Sequence, residues 1–231
     1  MSQTTTGAAA QPRFAATIFD MDGVIVDSEA LYLEELRAFS AAYGLGATEA
    51  ELYGQVGKSH QFFCRMLADW LERGGHGSFE PEAAEKLFEA WASGTPRDYA
   101  AILNPGVPGT LAALRAAGVR VALASSTPHA IIAEALGQCG LMDAFELIVS
   151  GEEFRESKPN PEIYLHTVER LGLPVAACCC VEDSVPGITA GKAAGLTVFA
   201  KREERFGFSQ EAADAIIDDI PALLAEVLPE A

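Results

Sequence analysis

Hydrophobic positions along the chain follow two different periods, and the change between them divides it into three stretches. The run Ala15–Phe19 (AATIF) ends in Asp20 and has the length and composition of a buried strand. From there to Leu103 only helical periods follow. Tyr32, Leu36, Phe39 and Tyr43 recur at steps of three and four, with Gly44 as a stop signal. Phe63, Met66, Leu67, Trp70 and Leu71 form a second stripe, ended by Gly74-Gly75-His76-Gly77, and Ala84, Leu87, Phe88 and Trp91 form a third after Pro81. Three amphipathic helices with no strand between them predict a small helical bundle.

Beyond Asn104 strands and helices alternate. Pro108–Ala117 reads as a helix with Pro near its start and Gly118 after its end. Val119–Ala124, Phe145–Val149, Ala176–Val181 and Leu196–Phe199 read as strands, with Ile216–Ile217 as a short last one. Pro128–Leu136, Pro161–Leu171 and Ser184–Ala194 read as the intervening helices. Such alternation predicts an α/β fold with a doubly wound parallel sheet. The expected organisation is a core made of 14–27 and 104–231, an inserted α-helical domain with its hinges at 28–103, and a frayed tail at 1–13 that has neither the basic nor the apolar region of a signal peptide.

Composition agrees with that division. The chain has 231 residues, which corresponds to roughly one and a half domains. With 49% hydrophobic and 21% charged residues it can bury a sizeable core. Sixteen Lys and Arg against 33 Asp and Glu give a formal charge of −17, which disfavours nucleic acid or an anionic membrane as a partner. A small anionic ligand stays compatible if a cation offsets the field locally. The longest apolar run, Val175–Val181, is far short of the ~20 residues of a membrane span, so the expected compartment is the cytoplasm. Cys64, Cys139 and the triplet Cys178–Cys180 make a poor disulfide framework and have no zinc-site spacing; buried, reduced thiols are expected.

Polar residues collect where the expected strands end. The first strand runs into Asp20-Met21-Asp22-Gly23, the second into Ser125-Ser126-Thr127, and the fourth into Glu182-Asp183-Ser184; Lys158-Pro159 follows the third after a loop. Taken singly these are ordinary: an Asp or a Ser-Ser-Thr-Pro run often caps a helix, and a Lys-Pro is often solvated loop. Together they fall on the carboxyl edge of one parallel sheet, where ligands bind. Carboxylates brought together there repel one another, and Mg²⁺ relieves this with a few carboxylate oxygens, waters and a phosphate oxygen. Lys158 adds a compact positive charge, and Ser125 a hydroxyl beside the amides of a helix start. An Asp held against phosphorus can attack it, and a second Asp two residues on can protonate the leaving alkoxide and then activate water.

The segment Asp20-Met21-Asp22-Gly23-Val24-Ile25-Val26-Asp27-Ser28 resembles the first motif of the haloacid dehalogenase-like superfamily. Ser125, Lys158-Pro159 and Glu182-Asp183 fall where its second, third and fourth motifs belong. An insert between first and second motifs resembles the helical cap of the β-phosphoglucomutase-like branch, and Val181–Ile188 and Lys158–Glu162 resemble that branch further. The resemblance implies a Rossmann-like core and Mg²⁺. It implies Asp20 as nucleophile and metal ligand, and Asp22 as general acid/base that also binds the metal through its backbone carbonyl. Asp183 would be a further ligand, with Glu182 in or next to the metal shell. Ser125 would bind phosphoryl oxygens, Lys158 would bridge phosphate and nucleophile, and the cap would close over the site and read the leaving group.

Outside those motifs the readings stay divided. Asp27 and Ser28 lie at the hinge, where Ser28 suits the N-cap of the first cap helix or a substrate contact. Tyr32 sits where related mutases and many phosphatases carry His, and also on an apolar stripe. Lys58, in Gly57-Lys58-Ser59, suits a cation over the substrate or a solvated loop; Ser126 suits a substrate contact, and His129 a phosphate contact or an exposed first-turn position. Trp70 and Trp91 are expected in the cap core, and Lys201–Gly207 as a solvated loop. The expected function is Mg²⁺-dependent hydrolysis of a small phosphate monoester, a sugar phosphate or related metabolite, through an aspartyl-phosphate on Asp20. The alternative is a β-phosphoglucomutase-like phosphosugar mutase; a non-catalytic phosphate- or metal-sensing module is a third. The expected partner is the anionic ester itself, and the default assembly is a monomer.

Overall fold

The computed structural model describes residues 11–55, 60–94 and 96–228. Residues 1–10 of the expected tail and Lys58 lie outside them. The chain divides into two compact units, one of Met1–Ile25, Asn104–Arg202 and Gln210–Ala231, the other of Val26–Leu103 and Glu203–Ser209.

Among the described residues the first unit is built on six strands, β1 (Ala16–Phe19), β2 (Arg120–Ser125), β3 (Leu147–Ser150), β4 (Cys178–Glu182), β5 (Thr197–Lys201) and β6 (Ala215–Ile217). All pair in parallel in the order β3-β2-β1-β4-β5-β6. The chain winds outward from β1 to β2 and β3, then crosses to β4 and winds the other way. The switch point of the sheet therefore lies between the carboxyl ends of β1 and β4. Residues at alternate positions of the strands, Ala16, Ile18, Ala122, Ala124, Cys178 and Cys180, pack beneath Tyr164, Val168 and Ile188 on one face. The intervening residues, among them Phe19, Leu123, Val181 and Phe199, are buried on the other. The strands thus read as continuous apolar runs because both faces are covered. Three of the cysteines are explained by this position in β4; all five are free thiols, four buried and Cys139 partly exposed.

The second unit is helical. Among the described residues it holds α1 (Ser28–Tyr43), α2 (Glu49–Gly54), α3 (His60–Arg73) and α4 (Pro81–Ala92), so one more helix than the three stripes predict. The short α2 has a capping box in which Thr48 and Glu51 satisfy each other's backbone amides, a signal legible in Thr48-Glu49-Ala50-Glu51. Leu36, Phe39, Leu67, Trp70 and Phe88 form the core of the unit, with Trp91 packed against it. The N-cap of α1 is Asp27 rather than Ser28: its side chain accepts from the Ala30 amide, and Ser28 is already helical. The two ends of the insert are tied by a Val26–Leu103 bridge and by the Asp27 amide donating to the Ile102 carbonyl.

Residues 203–209 group with this unit, and the expectation of a simple solvated loop there is corrected. Phe206 packs against the helical core, and Arg205 donates to both oxygens of Asp27 at 2.8 and 2.9 Å. No helix among the described residues is long and apolar enough to cross a membrane.

Candidate active site

At the switch point the chain leaves β1 and turns at once. The Asp20 amide donates to the Val181 carbonyl, and the Ile25 amide turns back to the Met21 carbonyl at 2.8 Å. Gly23 has a φ of +73° there, and a Cβ at that position would lie 1.8 Å from Asp183 Oδ2. A Cβ at Gly187 would lie 1.9 Å from Glu182 Oε2. Two glycines thus give the acids at the end of β4, Glu182 and Asp183, the room they occupy. Asn104 fixes the turn from behind, its Nδ2 donating to the Gly23 and Val24 carbonyls at 3.0 and 2.9 Å. Gln210 does the same on the β4 side by donating to the carbonyls of Asp183 and Lys201.

Asp20, Glu182 and Asp183 converge there, with carboxylate oxygens within 4.8 Å of one another. All three are buried, Asp20 at 7% exposure and Glu182 at none. Lys158 stands between two of them, its Nζ donating to Asp20 Oδ1 at 2.8 Å, Glu182 Oε1 at 2.6 Å and the Ala124 carbonyl at 3.0 Å. Those bonds use all three of its N–H groups. Burial opposes the lysine's charge, but Asp20 and Glu182 outweigh it and hold its pKa above the ordinary lysine value. Burial likewise pushes Asp20 up to about 7, with Lys158 pulling it down and Glu182 and Asp22 pushing it further up.

Glu182 accepts from more groups than its place in the motif suggests. Besides Lys158, Tyr164 donates its hydroxyl to Oε1 at 2.5 Å, and Oε2 accepts from the Asp183 amide at 3.3 Å and the Ser184 hydroxyl at 3.4 Å. Four donors fill the lone-pair positions of this carboxylate. Its geometry is that of a clamp for Lys158 bordering the acid cluster. The Tyr164 ring also faces the Lys158 ammonium, 4.9 Å from its centroid.

Asp22 is held from β2. The Thr127 hydroxyl donates to Asp22 Oδ2 at 2.6 Å and the buried Ser125 hydroxyl to the same oxygen at 3.4 Å. Asp20, Lys158, Glu182 and Asp183 thus form one cluster and Asp22, Ser125 and Thr127 a second, joined by the turn that carries Asp20 and Asp22. Among the described residues Ser126 and His129 make no bond to either cluster: Ser126 is exposed and shares a hydrogen bond with Ser157, while His129 opens α6 (His129–Gln138), the helix after α5 (Val107–Ala116), and its ring contacts Glu153 at 3.1 Å. In the helical unit the Tyr32 ring packs against Phe63 and Phe88, with centroids 5.6 and 5.8 Å away.

Four residues of the site have no role assigned from the sequence. Thr127 has the appearance of a helix cap, Tyr164 belongs to the apolar stripe of α7 (Glu162–Leu171), and Asn104 and Gln210 are single amides far from any motif.

Comparison with known proteins agrees with this geometry. The family model of haloacid dehalogenase-like hydrolases matches residues 14–195. The chain belongs to that family. Among its haloacid dehalogenase-like relatives, phosphorylated carbohydrates phosphatase of Thermotoga maritima is 34% identical over 185 residues, covering 78% of this chain and 82% of that one. Hexitol phosphatase B of Escherichia coli is 33% identical over 184 residues, covering 78% and 80%. The crystal structure of β-phosphoglucomutase from Clostridium difficile shares the haloacid dehalogenase-like fold, with a TM-score of 0.65 at 23% identity over 92% of this chain and 94% of that one.

Proposed function

We propose that the protein is a Mg²⁺-dependent phosphatase that hydrolyses a small phosphate monoester, of the sugar-phosphate class, through an aspartyl-phosphate on Asp20. The Lys158 ammonium fixed between Asp20 and Glu182 carries this assignment. It holds one oxygen of a buried carboxylate in a fixed direction, and favours its charged form against burial, beside the place where ligands enter such sheets. The names of the two phosphatase relatives support the substrate class.

The acid cluster fits a hard divalent cation. Three buried carboxylates lie within 4.8 Å of one another, and Lys158 offsets one charge among them. Asp20 and Asp183 would hold the ion through their carboxylates and Asp22 through its main-chain carbonyl, with Glu182 beside it. Bound Mg²⁺ would supply the remaining positive charge and polarise the phosphoryl oxygens.

The chain's own groups then divide the work. Asp20 attacks phosphorus; as the Asp20 oxygen–phosphorus bond forms, the bond to the leaving oxygen breaks and that oxygen takes the electron pair. Asp22 gives its proton to the leaving oxygen, releasing an alcohol. Asp22 next takes a proton from water as the water oxygen attacks phosphorus and the bond to Asp20 breaks, so ester and water become alcohol and phosphate. Ser125 donates to a phosphoryl oxygen. Lys158, with all three N–H groups engaged, acts on the phosphate through its charge and through the alignment of Asp20.

Phosphate release from a panel of sugar phosphates and an aryl phosphate, with and without Mg²⁺, tests this. Turnover of at least one sugar phosphate only when Mg²⁺ is present is expected; a wild-type protein silent across the panel overturns it. A β-sugar 1-phosphate converted to its 6-phosphate with a bisphosphate primer would replace hydrolysis by the mutase reaction, which uses the same core residues.

The protonation of Asp20 gives a second expectation. In the metal-free protein its pKa of about 7 means that Mg²⁺ must displace a proton below that pH. Calorimetric affinity for Mg²⁺ should rise about tenfold per pH unit up to roughly pH 7 and level off above it. An affinity constant between about pH 5.5 and 8 would contradict it.

A further inference from the structure

Two hydroxyls share Asp22 Oδ2, and they are not equivalent. Thr127 donates at 2.6 Å, Ser125 at 3.4 Å. Thr127 is itself fixed at both ends of its backbone. Its amide donates to Ser125 Oγ at 3.0 Å, and its carbonyl accepts from the Ser150 hydroxyl at 2.7 Å. Ser150 is buried and ends β3, the neighbour of β2 in the sheet. The threonine is therefore braced by the sheet, and its side chain delivers that rigidity to one oxygen of Asp22.

We propose that Thr127 is the positioning residue of the general acid/base: its hydroxyl anchors Asp22 through Oδ2, so that Oδ1 carries the proton exchanged with the leaving oxygen and then with water. The proposal rests on the phosphatase assignment above and deepens it. Ser125 donates both the long bond to Asp22 and, in that assignment, the bond to a phosphoryl oxygen, and it has one hydrogen for the two. When the phosphoryl group takes it, Thr127 alone holds Asp22. The short bond belongs to the residue that does not have to let go. Proton transfer requires a donor within hydrogen-bond reach of the leaving oxygen, so a carboxyl free to rotate loses most on the step in which a proton must be delivered.

The leaving group separates positioning from simple structural support. An alkyl phosphate departs as a strongly basic alkoxide and needs the proton; an aryl phosphate departs as a weakly basic phenolate and needs it far less. Thr127→Val removes the hydroxyl and keeps the shape of the side chain. It should lower kcat/KM, which reports only the steps up to release of the alcohol, about tenfold more for a sugar phosphate than for p-nitrophenyl phosphate. Thr127→Ser, which restores a hydroxyl, should recover most of the lost alkyl turnover. Thermal melts of both variants register any general loss of structure.

Equal losses for the two esters, or a serine variant as impaired on the alkyl ester as the valine one, would overturn the role of Thr127 and leave the phosphatase assignment intact. A wild-type enzyme inactive on every sugar phosphate of the panel and on the aryl phosphate would overturn that assignment and this inference together. A valine variant selectively impaired on the alkyl ester, rescued by serine, supports it.

Discussion

Asp20→Asn should abolish phosphate-ester turnover, lowering it by about 10⁴-fold or more, while the protein stays folded. Asparagine has the shape of aspartate and an oxygen to accept from Lys158, but no carboxylate to attack phosphorus. Its effect on stability has a definite sign. Burial, the largest influence on Asp20, pushes its pKa up to about 7. An acid whose folded pKa is raised is least costly to fold when protonated; the cost of its charge grows as pH rises from the unfolded value of about 4 and is complete above about 7. The variant carries no such cost. In the absence of metal its melting temperature should exceed that of the wild type at pH 8 and approach it at pH 5. A variant that kept turnover within tenfold of the wild type would remove Asp20 from the centre of the chemistry.

Lys158→Met should produce the largest loss of stability of any single change in the site, about 3–5 kcal/mol. The lysine is 6% exposed in its side chain and stands between Asp20 and Glu182. Methionine fills the volume and leaves two buried carboxylates facing one another without a cation. Glu182 has nowhere to turn, since it is fully buried and tied by Tyr164, the Asp183 amide and Ser184. Turnover should fall with stability, because the same ammonium aligns Asp20. Two additions should recover part of the stability: Mg²⁺, which supplies charge to the cluster, and a second change, Glu182→Gln, which removes one of the opposed charges. Denaturant titration of the single and double variants measures both. A Lys158→Met protein as stable as the wild type would show that the pair of ion contacts does not hold the cluster together.

The parts of the site legible in the sequence are those whose chemistry is concentrated in short segments at strand ends. Asp20 with Asp22, and Glu182 with Asp183, follow apolar runs that are buried on both faces, and a parallel sheet carries such ends to one edge. The order of the strands then brings β1 beside β4. Residues that act by reaching across the fold gave no such local signal. Tyr164 meets Glu182 only because α7 packs on the face of the sheet that carries Cys178 and Cys180. Thr127 follows Ser125 and Ser126 and looks like the cap of the next helix, yet its hydroxyl goes to Asp22 and α6 has no side-chain cap at all. Asn104 and Gln210 serve through amides that bond backbone 81 and 27 residues away. The shift of the α1 cap from Ser28 to Asp27 is of another kind: both residues suit the position, and the backbone turn decides which one occupies it. Arg205 bonds both oxygens of Asp27, a pairing across 178 residues that no local pattern announces.

The stereochemical course at phosphorus distinguishes a covalent intermediate on Asp20 from direct attack by water. Hydrolysis of a substrate ester made chiral with oxygen isotopes proceeds by two in-line displacements if Asp20 forms a covalent phosphoryl intermediate, each inverting the centre. A covalent intermediate on Asp20 requires net retention in the inorganic phosphate produced; net inversion would mean a single direct attack by water and would rule that intermediate out.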